Sequence, residues 1–342
     1  TEKFRQKLRN SVEDLANTLQ KISQAQIPIH QRPWEKSDKG LPILIGKYAA
    51  ERFGGPEKQT EYKQGWRVTV AKDGLGLQGE TDESASYAIY ELLDRLGCRW
   101  YLPGELGESL PSLTTIEFPE SDLSAAPDTA CREITYSDEA FKRRNRLGGF
   151  IIRAHHALEY YITEKQREEH PEWSAEIDGT PKKLLLKWSN PQVSDAIANA
   201  ITAKLDKAYE PSISLSPDDG AKFDQSEDTA WDAGDWDPTL NQVSVTDRYI
   251  KLCNLIVAQV IKKYPDVRFG FLAYVQYTRP PIREKPTPSL VPQIAPLTYC
   301  RAHAFTDEKL CPSRAQIRKI VEGCGKVARQ VSYYNFMYHL SE

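Results

Sequence analysis

The spacing of apolar positions divides the chain into segments before any motif is considered. Phe4, Leu8, Val12, Leu15, Leu19 and Ile22 recur at steps of three and four, which predicts a helix carrying one apolar stripe on a charged rod. Pro42 to Gly46 reads as a short strand. Trp66 to Val70 alternates, Asp73-Gly74 supplies a turn and Leu75-Gly76-Leu77 returns, which predicts a hairpin. Thr81 or Asp82 is placed to cap a helix running to about Leu96. Its inner face would be Tyr87, Ala88, Tyr90, Leu92 and Leu93 or Leu96, and Gly97 closes it. Pro, Ser, Gly and Glu crowd Pro103 to Pro127, which reads as a linker. Residues 1–127 are therefore expected to form a small α+β domain with its linker.

From residue 128 the rhythm changes to strand-like runs separated by helical periods. The strand-like runs are Ile134–Tyr136, Phe150–Arg153, Leu184–Trp188, Ser212–Ser216, Arg268–Tyr274, Leu297–Ala302 and Val331–Phe336. Helices are expected around Ala140 to Arg146 and from Asn190-Pro191, with Val193, Ile197, Ile201 and Leu205 on one face. Two more are expected from Thr246 to Lys263 and from Ser313 to Arg329. Strands alternating with helices indicate parallel βαβ units. Seven in sequence favour a TIM-type (β/α)8 barrel, although periodicity alone also fits an open sheet. About 215 residues follow the linker, against roughly 250 in a full barrel. The barrel of residues 128–342 is thus expected to be truncated after strand seven.

Composition narrows the function. Hydrophobic residues make up 40% and charged residues 27% of the chain, an ordinary folded balance. Lys and Arg number 45 against 48 Asp and Glu, so the basic excess of a nucleic-acid binder is missing. The longest strongly apolar stretch without a charge, Leu252 to Ile261, is too short to span a bilayer. No apolar signal core follows the opening Thr1-Glu2-Lys3. None of the 6 cysteines forms a C-x-x-C pair, so no structural zinc site is expected. No Walker loop and no G-x-G-x-x-G after a strand are present, so no cofactor is expected. The 7 Trp and 17 Tyr offer flat faces that suit sugar rings and equally fill cores.

In a barrel the chemistry gathers where strands end. The polar residues there are Arg153, His155 and His156; Trp188 and Asn190; Asp218 and Asp219; Tyr274, Gln276 and Tyr277; Arg301 and His303; Tyr334 and Asn335. Together they resemble a carbohydrate site, with aromatic faces for the ring and amides and charges for its hydroxyls. Asp218-Asp219 is the sharpest feature. Two carboxylates buried together push one pKa up and leave the other group ionised, the split that glycoside cleavage uses. Asp-Asp-Gly is equally a common turn sequence. From Asp218 to Asp237 there are 7 Asp and Glu227 against Lys222 alone. This run reads as a solvated acidic loop or as a calcium site, and the EF-hand spacing is absent. Arg301 and His303, two apart, would face the same side of an extended strand. Trp173 reads as a lid residue or as simple packing.

Two stretches resemble known families. Ser84 to Leu93 and Gly97-Cys98-Arg99-Trp100-Tyr101-Leu102-Pro103-Gly104 look like the N-terminal accessory domain of bacterial α-glucuronidases and β-hexosaminidases. The second part is similar to a bacterial, glycoside-hydrolase-like family known as domain of unknown function 4838. That likeness rests on His170-Pro171-Glu172-Trp173 with Asp178-Gly179, Ser189-Asn190-Pro191, Ser214 to Gly220, Tyr264-Pro265-Asp266 and Cys300-Arg301-Ala302-His303. Where many relatives carry a cysteine cluster, this chain has Phe223-Asp224-Gln225-Ser226. The resemblance implies a glycoside-hydrolase-like barrel. By likeness to hexosaminidases with substrate-assisted catalysis, it implies that Asp218 orients a 2-acetamido group and Asp219 acts as acid and base. The expected function is a glycoside hydrolase on a complex or amino-sugar-containing glycan. The alternatives are a non-catalytic carbohydrate-binding barrel and a structural module of a larger surface protein. A carbohydrate partner, no nucleic acid, no membrane span and a periplasmic or extracellular location go with that reading.

Overall fold

The computed structural model describes residues 2–35, 37–135, 137–220, 223–225, 236–237, 242–297, 299–300, 302–307 and 309–335. The chain is mixed α/β and divides into two compact units, residues 1–151 and 152–342. Among the described residues no helix is long and apolar enough to cross a membrane.

The first unit is built on a four-stranded sheet in the order Ile43–Ile45, Gly74–Gly79, Trp66–Ala71, Ser121–Ala125. The hairpin expected around Asp73-Gly74 forms, with Val70 opposite Leu75 and Trp66 opposite Gly79. The helices Glu2–Ser23 and Asp82–Arg95 bury Leu15, Leu19, Ile22, Tyr87, Ile89 and Leu93 with Val68 and Leu77 of the sheet. Thr81 caps the second helix in a reciprocal box. Its hydroxyl accepts the Ser84 N–H at 3.2 Å, and the Ser84 hydroxyl accepts the Thr81 N–H at 2.9 Å. A Cβ on Gly76 would lie 2.5 Å from the Phe53 ring, so glycine leaves room there for the helix Lys47–Phe53. The stretch Pro103–Pro127 is not a free linker. Its residues Ser121–Ala125 form the fourth strand, antiparallel to Trp66–Ala71. Ser-Asp-Leu-Ser-Ala holds no β-branched residue and only Leu123 and the small Ala125 to pack on the core, so an edge strand reads as loop.

The second unit is organised around a parallel sheet in the order Ser212–Ser214, Arg268–Ala273, Leu290–Ile294, Ser332–Tyr333. One face packs against the helices Pro191–Lys207 and Thr246–Val260. The core there joins Ile213, Leu215, Phe269, Phe271, Leu290 and Ile294 to Val193, Ile197, Tyr249 and Ile256. On the other face, small residues leave room for the chain itself. Ser212 and Ser214 point towards residues 152–156, and their hydroxyls accept the N–H groups of Arg153 and His155, both at 2.9 Å. The segment closes with a parallel bridge between His156 and Ser216. A Cβ on Gly270 would meet the Arg153 carbonyl oxygen at 2.3 Å.

Four expected barrel strands take another form. Residues 150–153 form no strand, and the Arg153 N–H is held by the Ser212 hydroxyl instead of by a ladder. Among the described residues of 134–136 there is no strand, and a short pair joins Cys131–Arg132 to Gly148–Gly149 instead. Residues 184–186 end an antiparallel hairpin of Ser174–Ile177 with Thr180–Leu186. Asp178 and Gly179 both have positive φ, 52° and 68°, the turn geometry that favours local pairing over a βαβ crossover. The sixth strand is Leu290–Ile294, not residues 297–302. Pro292 disguises it. By alternation from the Ala295 N–H, which bonds Ala273, the Pro292 nitrogen faces the side where Ser332–Tyr333 pairs only Gln293 and Ile294. Its missing N–H thus breaks no ladder bond. No closed barrel is present among the described residues.

Candidate active site

The sheet gathers one group of polar side chains beyond the C-terminal ends of Ser212–Ser214 and Arg268–Ala273. The peptide carbonyl of Ser216 accepts two N–H groups, from Ala157 and Leu158, each at 2.9 Å. This anchors the short 3-10 turn Leu158–Tyr161 on the strand end. The turn carries Glu159, which is 7% exposed. One Glu159 carboxylate oxygen accepts the backbone N–H of Asp218 at 2.6 Å. The chain then turns at Asp218-Asp219, where the Asp218 carboxylate accepts the Asp219 N–H at 2.9 Å. This is the turn-like reading of the acidic pair, and it places both side chains in solvent reach.

Asp219 has two neighbours that bear on its chemistry. Tyr274 is one: burial, and the negative charge of Asp219 near it, raise the Tyr274 pKa. His156 Nε2 stands 4.0 Å from Asp219. The other ring nitrogen, Nδ1, bonds the Pro217 carbonyl oxygen. A carbonyl only accepts, so Nδ1 carries a proton, and Nε2 is the ring nitrogen turned towards Asp219. Tyr277, 1% exposed, lies beneath; burial and the nearby Glu159 charge raise its pKa.

Glu159 is the carboxyl group of this cluster whose protonation is displaced towards neutrality. Burial pushes its carboxyl up to about 7, the Asp218 charge adds to this, and the N–H bonds to its oxygens only partly oppose it. Arg167 donates to the Glu159 backbone oxygen rather than to its carboxylate. Glu159 is not among the site residues expected from sequence. One signal was available: it is the only charged residue from Ala154 to Thr163, in an otherwise apolar or neutral run after a strand-like segment.

The other expected site residues are distributed as follows. Arg153 pairs with Glu210 at 3.0 Å, before the N-terminal end of the strand Ser212–Ser214 and so at the opposite end from Asp218. His155 lies beside it, and burial together with the Arg153 charge lowers its pKa. Trp188 is 4% exposed and packs on Phe223 and Tyr249 as core. Asn190 caps the helix Pro191–Lys207 by accepting the Gln192 N–H at 2.9 Å. Trp173 is packing rather than a lid, 6% exposed, under the stacked His170 ring at 4.1 Å. The backbone carbonyl of Gln276 accepts from Val245 N–H at 3.1 Å. His303 neighbours Cys300 at 3.1 Å. Asn335 accepts a hydrogen bond from Tyr299, and Tyr334 donates its N–H to Ile294. Arg301 lies outside the described residues, as does most of the acidic run, of which Asp224 is buried and accepts the Glu176 N–H at 2.5 Å.

Fold and site define a two-unit α/β protein with an acidic cluster at the C-terminal edge of a parallel sheet. The chain belongs to the family described as Domain of unknown function (DUF4838), whose model matches residues 102–342. Among solved structures, it is similar to "A novel family GH115 4-O-Methyl-alpha-glucuronidase, BtGH115A, with specificity for decorated arabinogalactans". The identity is 14% and the TM-score 0.43, over 84% of this chain and 43% of that one. The chain thus spans less than half of that enzyme's length. A comparison with curated proteins finds no match.

Proposed function

We propose that the chain is a glycoside hydrolase on a complex or amino-sugar-containing glycan, and that its parallel sheet is an arc of a TIM-type barrel. Asp219 is the acid/base of this proposal, and Asp218, at the same turn, orients the substrate. The observation that carries the reading is the placement of Asp219 near Tyr274 and 4.0 Å from His156 Nε2, beyond strand ends of a parallel sheet. A carboxyl group that hands its proton to the leaving oxygen is left as a carboxylate, and it recovers a proton from the water that completes the hydrolysis. His156, fixed through Nδ1, stands close enough to Asp219 to influence its charge during that cycle. The Tyr274 ring, only partly buried, offers a face against which a sugar ring can stack. Residues 1–127 are read as an accessory domain, with its linker, of the hexosaminidase and glucuronidase type.

The test is a panel of oligosaccharides and polysaccharides, including amino-sugar-containing ones, digested by the protein and by Asp219→Asn. Reducing-end release by the wild type and its loss in the variant, with folding unchanged by circular dichroism, is the expected result. Binding of a glycan by calorimetry with equal affinity in both proteins and no release would instead establish a non-catalytic carbohydrate-binding unit.

A further inference from the structure

A second group of side chains converges at the same edge of the parallel sheet, beyond the strand Leu290–Ile294 and at the start of the helix Pro312–Val327. Cys300, His303 and Cys311 each bring one ligand atom to within 4.8 Å of the others. We propose that these three residues bind a zinc ion, with the fourth coordination position open to solvent.

The donor set selects the metal. Two thiolates and an imidazole are borderline-soft ligands, suited to zinc and poorly matched to calcium or magnesium. The geometry shows that the lone pairs already meet. Cys300 Sγ and His303 Nδ1 stand 3.1 Å apart and share a proton. A metal ion takes the place of that proton, because it needs the thiolate and the neutral imidazole lone pair at one point. Tetrahedral coordination with bonds of about 2.3 Å to sulfur and about 2.0 Å to nitrogen sets ligand atoms roughly 3.5–4 Å apart. The observed spread is within an ångström of that.

The ligands are also held from behind. The Ser313 hydroxyl accepts the Cys300 N–H at 2.9 Å, and Arg314 Nε donates to the His303 carbonyl at 2.9 Å. Asp307 joins the two ligand segments. Its carboxylate accepts the Ala304 N–H at 3.2 Å and its carbonyl accepts the Cys311 N–H at 2.9 Å. Such outer contacts fix ligand direction and are a regular part of metal sites. Cys311 is buried, Cys300 half-buried and His303 exposed. The open side of the trio therefore faces solvent, and three protein ligands with one open position is the pattern of zinc that binds an exchangeable water or substrate group.

The pattern is Cys-x2-His-x7-Cys, which a search for C-x-x-C pairs passes over.

The test uses the full chain, reduced and stripped with a chelator, then titrated with zinc chloride and separately with cobalt chloride. The expected result is one zinc per chain after dialysis and a thiolate-to-cobalt charge-transfer band. Cys300→Ser with Cys311→Ser should remove both. His303→Ala, on an exposed side chain that folding does not need, should weaken zinc at least tenfold and shift the cobalt spectrum. Cys131→Ser should change neither. Substoichiometric uptake by the folded wild-type chain would overturn the proposal. So would uptake unaltered in the double variant and in His303→Ala, or a Cys300–Cys311 disulfide whose reduction yields no zinc binding.

Discussion

The Glu159 carboxylate accepts the backbone N–H of Asp218 at 2.6 Å, across 59 positions of sequence. A buried acid thus holds the turn that presents the acidic pair to solvent. The bond ties the protonation of a group inside the unit to the shape of the loop outside it.

Glu159 therefore has a stability signature with a defined sign. Its ordinary pKa is 4.5 and burial raises it to about 7 in the folded chain. The folded state binds more protons than the unfolded state between these values, so stability falls as pH rises from 4.5 through about 7 and is flat above. The span corresponds to about 3 kcal/mol. Glu159→Gln keeps an acceptor for the Asp218 N–H and removes the charge. It should match the wild type near pH 4.5 and exceed it at pH 8 by about 2–3 kcal/mol. Urea midpoints at the two pH values measure this, and parallel pH slopes for both proteins would refute it.

How far the site could be read from sequence follows from which interactions are local. The turn at Asp218-Asp219, the helix N-cap at Asn190 and the Thr81 cap lie within a few residues of their partners, and their residue types announce them. The hairpin at Asp73-Gly74 is legible for the same reason. The Asp178-Gly179 turn carries an equally clear signal, but Leu184 to Trp188 also looks like a parallel strand, and apolar runs do not reveal their partner. Glu159 becomes a site residue only through Ser216 and Asp218, and neither contact leaves a mark near Glu159 in the chain. Arg153 shows the opposite error. It sits in the same segment as His156, yet on this segment only three residues separate the two ends of the strand Ser212–Ser214.

The close approach at Gly270 sets the second prediction. An alanine Cβ there would stand 2.3 Å from the Arg153 carbonyl oxygen and 2.4 Å from Ile152 Cγ2. One of these is backbone, and it is tethered because Ser212 and Ser214 hold the N–H groups of Arg153 and His155. Neither the strand nor the segment can give way without breaking those bonds. Gly270→Ala should cost about 2–3 kcal/mol by overpacking and faster exchange of the Arg153 and His155 amides should accompany it. A denaturation midpoint within error of the wild type would show that residues 152–156 do not lie on this face.

In the first unit Asp14 carries a charge cluster. Its carboxylate accepts from Tyr90 at 2.7 Å, from Arg143 at 3.0 Å, and from Arg144 at 3.0 and 3.2 Å. Burial acts to raise its pKa, and the hydrogen bonds and charge of Arg144, with those of Tyr90 and Arg143, outweigh it and hold the carboxyl below its ordinary 3.8. A depressed carboxyl stabilises the fold above that value and loses its contribution as pH falls through the folded pKa. Asp14→Asn leaves Arg143 without its anion and Arg144 with Glu108 alone, at 3.7 Å, and should destabilise by about 2 kcal/mol at pH 7. The gap should narrow in acid, as pH falls towards the depressed folded pKa and the wild-type carboxyl takes up its proton. Thermal unfolding at pH 7 and pH 2.5 distinguishes this from a simple packing loss, which would persist at both.

The thiols of the chain should differ sharply in reactivity when the protein is reduced and free of metal. The hydrogen bond from His303 brings the Cys300 pKa from 9.0 down to about 6, whereas burial raises Cys253 and Cys324 to about 12. At pH 7 a thiol of pKa 6 is about 90% thiolate and one of pKa 9 about 1%. Nucleophilicity falls with pKa at a Brønsted slope of about 0.4–0.5, which returns roughly a twentyfold loss over three units. The net gain for Cys300 is then about fivefold over an ordinary exposed thiol. Iodoacetamide at pH 7 should therefore label Cys300 first, with a rate that is half-maximal near pH 6, while Cys253 and Cys324 stay unmodified in the folded chain. His303→Ala should slow the reaction about fivefold at pH 7 and move its midpoint towards 9, because the imidazole proton that stabilises the thiolate is gone. Peptide mapping by mass spectrometry reads both. A Cys300 midpoint that stays in place without His303 would show that the two side chains do not share the proton.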